Sequence, residues 1–360
     1  MISDALKLFG KLFMVVAVVF TVAFYGFSLI LGPTLFFFTS EGLATSIIYK
    51  PSLPIWLLIL PVTVPVSVEL GAVFIGVFTV IISSFIVAWK LNTPFHKTIK
   101  NSVVQPTQKL FQSSLFGMAL INGMTLFVVL LLNNLQEATG IPTGTTPTVG
   151  QPFLDFLDLS YSAVVEEIGF RLIPIGAFLF LLLLITKKAE TVISVKQKIK
   201  LLFLSFLFPD KAKQLTGNKT VSKHGILSGI SVPELGMIVF TAVIFGIAHY
   251  NPGVSWEIGK ISSATLTGFI LALTYLAYGA HAPLLMHWFF NAYHEAYFLL
   301  ADLHPAAEPL ANTVVILSFV LGLLGWITVT ALGLRKLTKS FQNTEGPQPK
   351  LTYDEAASIS

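Results

Sequence analysis

Long apolar segments separated by polar loops dominate this chain. A helix needs about 20 apolar residues to cross the hydrocarbon core of a bilayer. Hydrophobic residues make up 54% of the sequence and charged residues only 11%, a balance typical of integral membrane proteins. We therefore predict an all-α, polytopic membrane protein with about eight transmembrane helices, at residues 12–38, 70–89, 115–132, 153–185, 233–249, 258–278, 281–300 and 312–334.

The predicted spans fall into three blocks along the chain. Residues 1–151 carry three N-terminal spans, and residues 152–300 form a membrane core that contains one long lysine-rich loop, 186–231. Residues 301–340 supply the final span. The polar residues 341–360 are expected to form a disordered tail, because they have little apolar surface to bury.

Two further apolar segments do not fit a span. Residues 55–66 lie among Pro54, Pro61 and Pro65, and because proline disrupts a helix we expect an irregular or re-entrant segment there. Residues 201–208, inside the lysine-rich loop, are too short to cross the bilayer. With lysines on both sides, this segment is compatible with a position on the membrane surface. The interpretation we favour is that the basic loop is only a topology signal.

Positive charge collects on one side of the predicted bundle. Eight spans place the N-terminal lysines, the loop around Lys97, the lysine-rich loop and the C-terminal tail together. Because lysine-rich loops stay in the cytoplasm, both termini of this multi-pass protein are predicted to be cytoplasmic. The net charge of +4 therefore indicates topology, and we expect membrane lipid rather than nucleic acid as a partner.

Three ionisable residues interrupt the apolar run 153–185. Glu166, Glu167 and Arg171 each cost several kcal/mol or more at bilayer depth, so they are expected to pair, line a wet cavity or do chemistry. Glu167 and Arg171 are four residues apart and share a helix face, while Glu166 points about 100° away. An ion pair therefore accounts for two of the three residues and leaves Glu166 free for another role.

Two more polar sets lie in predicted helices. His249 ends one span, and His287 and Asn291 share a face of another. Each has a structural explanation, as an interfacial residue or as a hydrogen bond between helices. Together, a carboxylate, two histidines and an amide on three helices indicate a hydrolytic centre, in which Glu is the general base and His and Asn stabilise an oxyanion. The absence of cysteine excludes a thiol nucleophile.

These motifs resemble a known family of membrane enzymes. Glu166-Glu167-x-x-x-Arg171, Phe245-x-x-x-His249 and His287-x-x-x-Asn291, in that order, are similar to the three motifs of the CPBP intramembrane proteases. This family, also called Abi, includes CAAX prenyl endopeptidases and bacteriocin-processing enzymes. The resemblance covers roughly residues 162–297, and the first three spans and the lysine-rich loop show no recognisable motif.

The resemblance implies a role for each matching residue. Glu166 would be the catalytic base, with His249 helping to hold the attacking water or a metal, and Glu167 and Arg171 would support the site. His287 and Asn291 would stabilise the oxyanion.

The sequence leaves the use of a metal open. Glu166, His249 and His287 are enough ligands for a catalytic zinc ion. The chain has no His-Glu-x-x-His motif, however, and a metal-free glutamate mechanism is the alternative.

The sequence thus predicts an intramembrane endopeptidase whose helices surround a catalytic cavity. Its substrate would be a peptide or lipidated protein near the membrane, such as a CAAX-type prenylated protein. Two alternatives belong to other classes: a proton-coupled transporter that uses the buried Glu and His residues as a relay, and a non-catalytic membrane scaffold. Many transporters have repeated halves, and no second copy of any motif is present here.

Overall fold

The computed structural model describes residues 2–91, 93–186 and 194–344, and most of these residues are helical. Seventeen helices are joined by π-helical turns at Ile168–Leu172 and Phe289–Tyr293 and by a 3₁₀ turn at Pro305–Ala307 in this part of the chain. The helices are α1 (Ile2–Phe38), α2 (Ser40–Ser46), α3 (Leu70–Lys90), α4 (Phe95–Lys100), α5 (Thr107–Leu110), α6 (Ser114–Ala138), α7 (Pro152–Glu167), α8 (Ile173–Ile185), α9 (Val195–Leu207), α10 (Pro209–Leu215), α11 (Val221–His224), α12 (Ile226–Gly229), α13 (Val232–Ala248), α14 (Ile258–Tyr278), α15 (His281–Trp288), α16 (Glu295–Leu303) and α17 (Glu308–Thr344).

Six of the eight predicted spans are long and apolar enough to cross a membrane. Among the described residues these are the spans built on α1, α3, α6, the α7–α8 pair, α14 and α17, so the chain is an integral multi-pass membrane protein. The other two predicted spans differ. Helix α13 is apolar but has only 17 residues, and the predicted span 281–300 is divided into α15, a π-helical turn and α16.

The C-terminal boundary also differs from the prediction. Helix α17 continues to Thr344, beyond the predicted end at residue 340. The remainder of the predicted disordered tail, residues 345–360, lies outside the described residues, as does 187–193 in the lysine-rich loop.

The expectation of an all-α fold is wrong for the segment around residues 55–66, which forms a β-hairpin. Strand β1 (Tyr49–Lys50) pairs with β4 (Val68–Glu69), and β2 (Leu53–Leu57) pairs with β3 (Leu60–Val64), both antiparallel. The register places Pro54 opposite Thr63 and Trp56 opposite Pro61. Because Leu57–Leu60 closes a two-residue turn, these are the non-hydrogen-bonded pairs, and the strands tolerate both prolines.

The tip of this hairpin docks on the π-helical turn that follows Glu167. The Leu58 amide donates to the Gly169 carbonyl over 3.3 Å, and the Tyr161 hydroxyl donates to the Pro54 carbonyl over 2.7 Å. A Cβ atom at Gly169 would overlap the Trp56 carbonyl oxygen. Glycine is therefore needed here for the backbones to approach.

The described part of the lysine-rich loop folds into α9 to α12. Helix α9 packs against α8, and α10 packs against α8 and α14. The Tyr275 hydroxyl lies 2.8 Å from the Ser205 and Phe206 carbonyl oxygens, and both Leu201 and Ser205 are fully buried. One face of 201–208 therefore packs on the protein, while Leu202, Phe203 and Leu207 on the other face are exposed, so its placement at the membrane surface stays a prediction.

A buried ion pair fastens this insertion to the start of α13. Lys213 lies 2.7 Å from Glu234, and both side chains are 3% exposed. Glu234 also accepts a hydrogen bond from the Ser231 amide, which completes a capping box at the first turn of α13.

The insertion also covers the beginning of α15. The Ala280 amide donates to the Leu207 carbonyl over 2.9 Å, and His281 is only 5% exposed. The first residue of α15 is therefore covered by protein. Six residues later, about 9 Å along the helix, His287 is deep enough to meet residues of α7 and α13.

We predict that Gly169→Ala destabilises the protein, because the added methyl group displaces the Trp56 carbonyl and lifts the hairpin from the π-helical turn. Overpacking of this kind costs about 1–3 kcal/mol. Thermal unfolding of the purified protein in detergent measures the effect. Gly76→Ala on α3 is the matched control, since a Cβ atom there meets nothing within 4 Å. If both variants had the same melting temperature as the parent, the docking of the hairpin on Gly169 would be contradicted.

Candidate active site

The structure brings together the three polar motifs that are distant in sequence. Glu166 and Glu167 are the last residues of α7, His249 is the C-cap of α13, and His287 lies in the last turn of α15. The Glu166 carboxylate lies 3.6 Å from His287 and 4.0 Å from His249, which makes these three side chains one cluster.

Glu167 is the hub of this cluster. Its Oε1 atom accepts a hydrogen bond from Arg171 Nη1 over 2.9 Å and lies 2.7 Å from His287 Nδ1. Glu167 and Arg171 are fully buried, so the ion pair expected from their spacing is present. A buried carboxylate needs such partners because an uncompensated charge in a low-dielectric interior is costly. The same oxygen therefore holds α7, the π-helical turn and α15 together.

The Arg171 guanidinium is also held by an aromatic ring. Its Cζ atom lies 4.0 Å from the centroid of Phe245, in a cation–π arrangement. A Cβ atom at Gly268 of α14 would lie 3.0 Å from Arg171 Nη2. The absence of a side chain at Gly268 leaves room for the guanidinium between α13 and α14.

Both histidines present Nε2 toward Glu166. His249 Nδ1 lies 2.8 Å from the Phe245 carbonyl, and His287 Nδ1 lies 2.7 Å from the Glu167 carboxylate. Because a carbonyl and a carboxylate can only accept, each Nδ1 carries the proton, a tautomer assigned here from its partner. The Glu166 Oε2 atom between the two Nε2 atoms is buried and accepts no hydrogen bond from any described residue.

Asn291 is placed beside the same part of α7. Its Nδ2 atom donates to the Ser162 hydroxyl over 3.1 Å and lies 3.5 Å from the Leu159 carbonyl. Ser162 is four residues before Glu166, so Asn291 lies about one helical turn from the carboxylates along α7. The nearby Trp288 indole donates to Ser160 over 3.1 Å and reinforces this contact.

Each π-helical turn is next to site residues. One begins directly after Glu167 and contains Arg171, and the other begins after Trp288 and contains Asn291. Such turns are rare in proteins as a whole, but those that occur are often found at functional sites. The extra residue in the turn changes the direction of the side chains that follow. The sequence argument assumed regular helices, and hydropathy contains no signal for either turn.

Sequence reasoning missed several residues around the cluster. Lys260 lies in the first turn of α14, and its ammonium lies 3.6 Å from the centroid of Trp256. Gly169 and Gly268 permit the close approaches described above. Lys260 had a usable signal, since it is a cation inside an otherwise apolar predicted span.

The cluster does not fit a metal ion in its present arrangement. Two ligands of one tetrahedral zinc ion lie about 3.3 Å apart, given bonds of about 2.0–2.1 Å. The distances from Glu166 to His287 and His249 are longer, at 3.6 and 4.0 Å. No group of three or more His, Cys, Asp or Glu residues in the described part of the chain is placed to hold a metal.

Comparison of the chain with protein-family models, with curated proteins and with solved structures gives no match. The resemblance of the three motifs to the CPBP proteases therefore stays a prediction, and the case for a function depends on the geometry of the site.

We predict that Arg171→Met and Glu167→Gln each lower stability, because either change leaves its former partner charged and buried. Breaking a buried ion pair from one side costs roughly 3–5 kcal/mol in soluble proteins. The double variant Glu167→Gln/Arg171→Met is expected to recover part of the loss. Thermal unfolding in detergent measures all three.

The matched control is Lys50→Met, which breaks the 3.4 Å contact between Lys50 and Asp158. Both of those side chains are more than one third exposed, and surface pairs contribute only about 0–1 kcal/mol. If the Arg171→Met protein had the same melting temperature as the Lys50→Met protein, the buried pair would not be what holds α7 to α15.

Proposed function

We propose that this protein is a membrane endopeptidase that uses Glu166 as the general base, with eight membrane segments around a catalytic cavity. The observation that carries the proposal is the position of the buried Glu166 Oε2 atom, which faces two imidazole Nε2 atoms at 3.6 and 4.0 Å. In the proposed enzyme a water molecule enters between this oxygen and the imidazoles and hydrogen-bonds to them.

In the proposed reaction Glu166 removes a proton from a water molecule positioned by His249. The water oxygen attacks the carbonyl carbon of the peptide bond, and the carbonyl oxygen becomes an oxyanion. Glu166 then returns the proton to the amide nitrogen, which leaves as an amine when the C–N bond breaks. No step passes through a metal ion, because the distances described above do not fit one.

His287 is the proposed oxyanion donor. For this role Nε2 must carry a proton as well as Nδ1, and the carboxylates of Glu166 and Glu167, at 3.6 and 2.7 Å, would stabilise that charge. The Glu167 carboxylate holds Nδ1–H, and Nε2–H then points toward Glu166 and the reacting carbonyl. Asn291 supplies a second donor, since its 3.5 Å contact to the Leu159 carbonyl is weak and leaves one N–H for the oxyanion.

The substrate is proposed to be a peptide near the membrane, and two classes deserve a direct test. The motif resemblance favours a CAAX-type prenylated peptide. The topology favours a peptide on the opposite side from the lysine-rich loops, because His249 and Lys260 border the loop 250–257, which contains neither lysine nor arginine. Both classes share the chemistry of peptide-bond hydrolysis.

We predict that Glu166→Gln abolishes cleavage, because glutamine cannot accept the proton of the water. Asn291→Ala is expected to retain activity reduced by about 10²–10³, the usual loss of one oxyanion donor. The assay is mass spectrometry of products after the purified protein is incubated with a prenylated CAAX peptide and with unlipidated membrane-associated peptides.

The control for that assay is Glu41→Gln, which changes an exposed carboxylate in α2 and is expected to leave the rate unchanged. Full activity of Glu166→Gln would end the general-base role. Absence of products from every peptide, together with proton transport by the parent in proteoliposomes, would favour the transporter alternative, which uses the same buried residues.

We predict that a single cysteine at Thr145 is labelled in intact cells by a membrane-impermeant thiol reagent, and that one at Ser222 is not. Both positions are exposed, and the chain has no native cysteine. The expectation follows from placing the termini and the lysine-rich insertion in the cytoplasm. Labelling at Ser222 but not at Thr145 would invert the topology and favour a cytosolic substrate.

A further inference from the structure

A cavity of about 810 Å³ lies on the other side of α14 from the Glu166 cluster. Its walls are formed by α6, α14 and α17, and its lining there is mostly apolar. On α14, Leu266 and Ile270 line the cavity, whereas Gly268 between them faces Arg171 and Phe245. The helix therefore separates the cavity from the candidate active site.

The cavity has the length of one lipid leaflet. Its lining on α14 extends from Leu266 to Tyr278, about 18 Å at a rise of 1.5 Å per residue. Half of the hydrocarbon core of a bilayer is about 15 Å thick. An acyl chain that enters at the Tyr278 end would therefore reach the middle of the membrane along this wall.

Polarity changes from one end of the cavity to the other. At the Tyr278 end the lining includes Gln108, Gln112 and Ser222, which belong to the loop segments on the lysine-rich side. The Tyr278 hydroxyl donates to the Phe111 carbonyl over 3.0 Å and fixes this end to the segment that contains the two glutamines. The other end is lined by apolar side chains.

Positive charge lies next to the polar end. Lys109 and Lys223 are exposed and directly follow the lining residues Gln108 and Ser222. Residues 91–113 and 215–230 contain no Asp or Glu. The nearby Asp210 accepts hydrogen bonds from the amides of Val221 and Ser222, so its charge is partly compensated.

We infer that this cavity binds one anionic phospholipid from the leaflet on the lysine-rich side. Its phosphate would lie near Lys109 and Lys223, its polar head would contact the amides and hydroxyl at the rim, and an acyl chain would lie along α14. Lysines near the membrane surface favour anionic lipids. This inference depends on the membrane placement of the chain and is independent of the proposed proteolysis.

The test is titration of the purified full chain in detergent with phosphatidylglycerol and with phosphatidylcholine, followed by native mass spectrometry. One phosphatidylglycerol is expected to bind more tightly than phosphatidylcholine. In Lys109→Gln/Lys223→Gln its affinity is expected to fall about thirtyfold, since each lysine contributes roughly fivefold. Ala277→Phe, which fills the cavity beside Tyr278, is expected to weaken binding of both lipids.

Lys198→Gln/Lys200→Gln is the matched control, because it removes the same charge from exposed positions on α9 that do not line the cavity. Its affinity for phosphatidylglycerol is expected to match the parent. Equal binding of the two lipids, or an equal loss in both double variants, would overturn the proposal. Displacement of phosphatidylglycerol by a prenylated peptide at lower concentration would also overturn it and assign the cavity to a substrate chain.

Discussion

The hydrogen bonds of one carboxylate oxygen, Glu167 Oε1, hold the centre of this protein together. Glu167 Oε1 is shared by Arg171 in the adjoining π-helical turn and by His287 in α15. A buried anion is tolerated only with compensating charge and hydrogen bonds, so its position dictates where both partners must lie. The Phe245 ring over Arg171 adds α13 to the same unit. Electrostatic contacts therefore fix the relative positions of α7, the π-helical turn, α13 and α15. Apolar packing alone would allow these helices to slide past one another, because one apolar contact is much like the next.

Two elements that hydropathy does not identify lie next to the helices of this centre. The β-hairpin contacts the site helix at Gly169, and the lysine-rich insertion covers Ala280 and His281 at the start of α15. The hairpin pairs its backbone groups between its own strands, and the described part of the insertion is mostly helical, so both satisfy most of their backbone hydrogen bonds internally.

Helix α14 separates two environments with different chemistry. One face, at Gly268, leaves room for Arg171 next to the glutamate–histidine cluster, and the other, at Leu266 and Ile270, lines an apolar cavity. A lipid bound in that cavity would contact the helix that supports the site. The lipid would not touch the site itself, because the Arg171 guanidinium and the cavity lie on opposite faces of α14. It would act on the site only through the packing of this helix.

The sequence by itself determined the membrane class, six of the spans and the membership of the polar cluster. Long apolar runs predict membrane helices, and ionisable residues are costly inside such helices. These two facts were enough to identify the cluster residues: Glu166, Glu167, Arg171, His249 and His287. Only the tertiary structure decided that one oxygen of Glu167 joins Arg171 and His287, that 53–64 is a hairpin, and that the insertion packs against α8 and α14. These features depend on contacts between residues far apart in the chain, such as Leu58 with Gly169 and Ala280 with Leu207, and helical periodicity contains no information about such contacts.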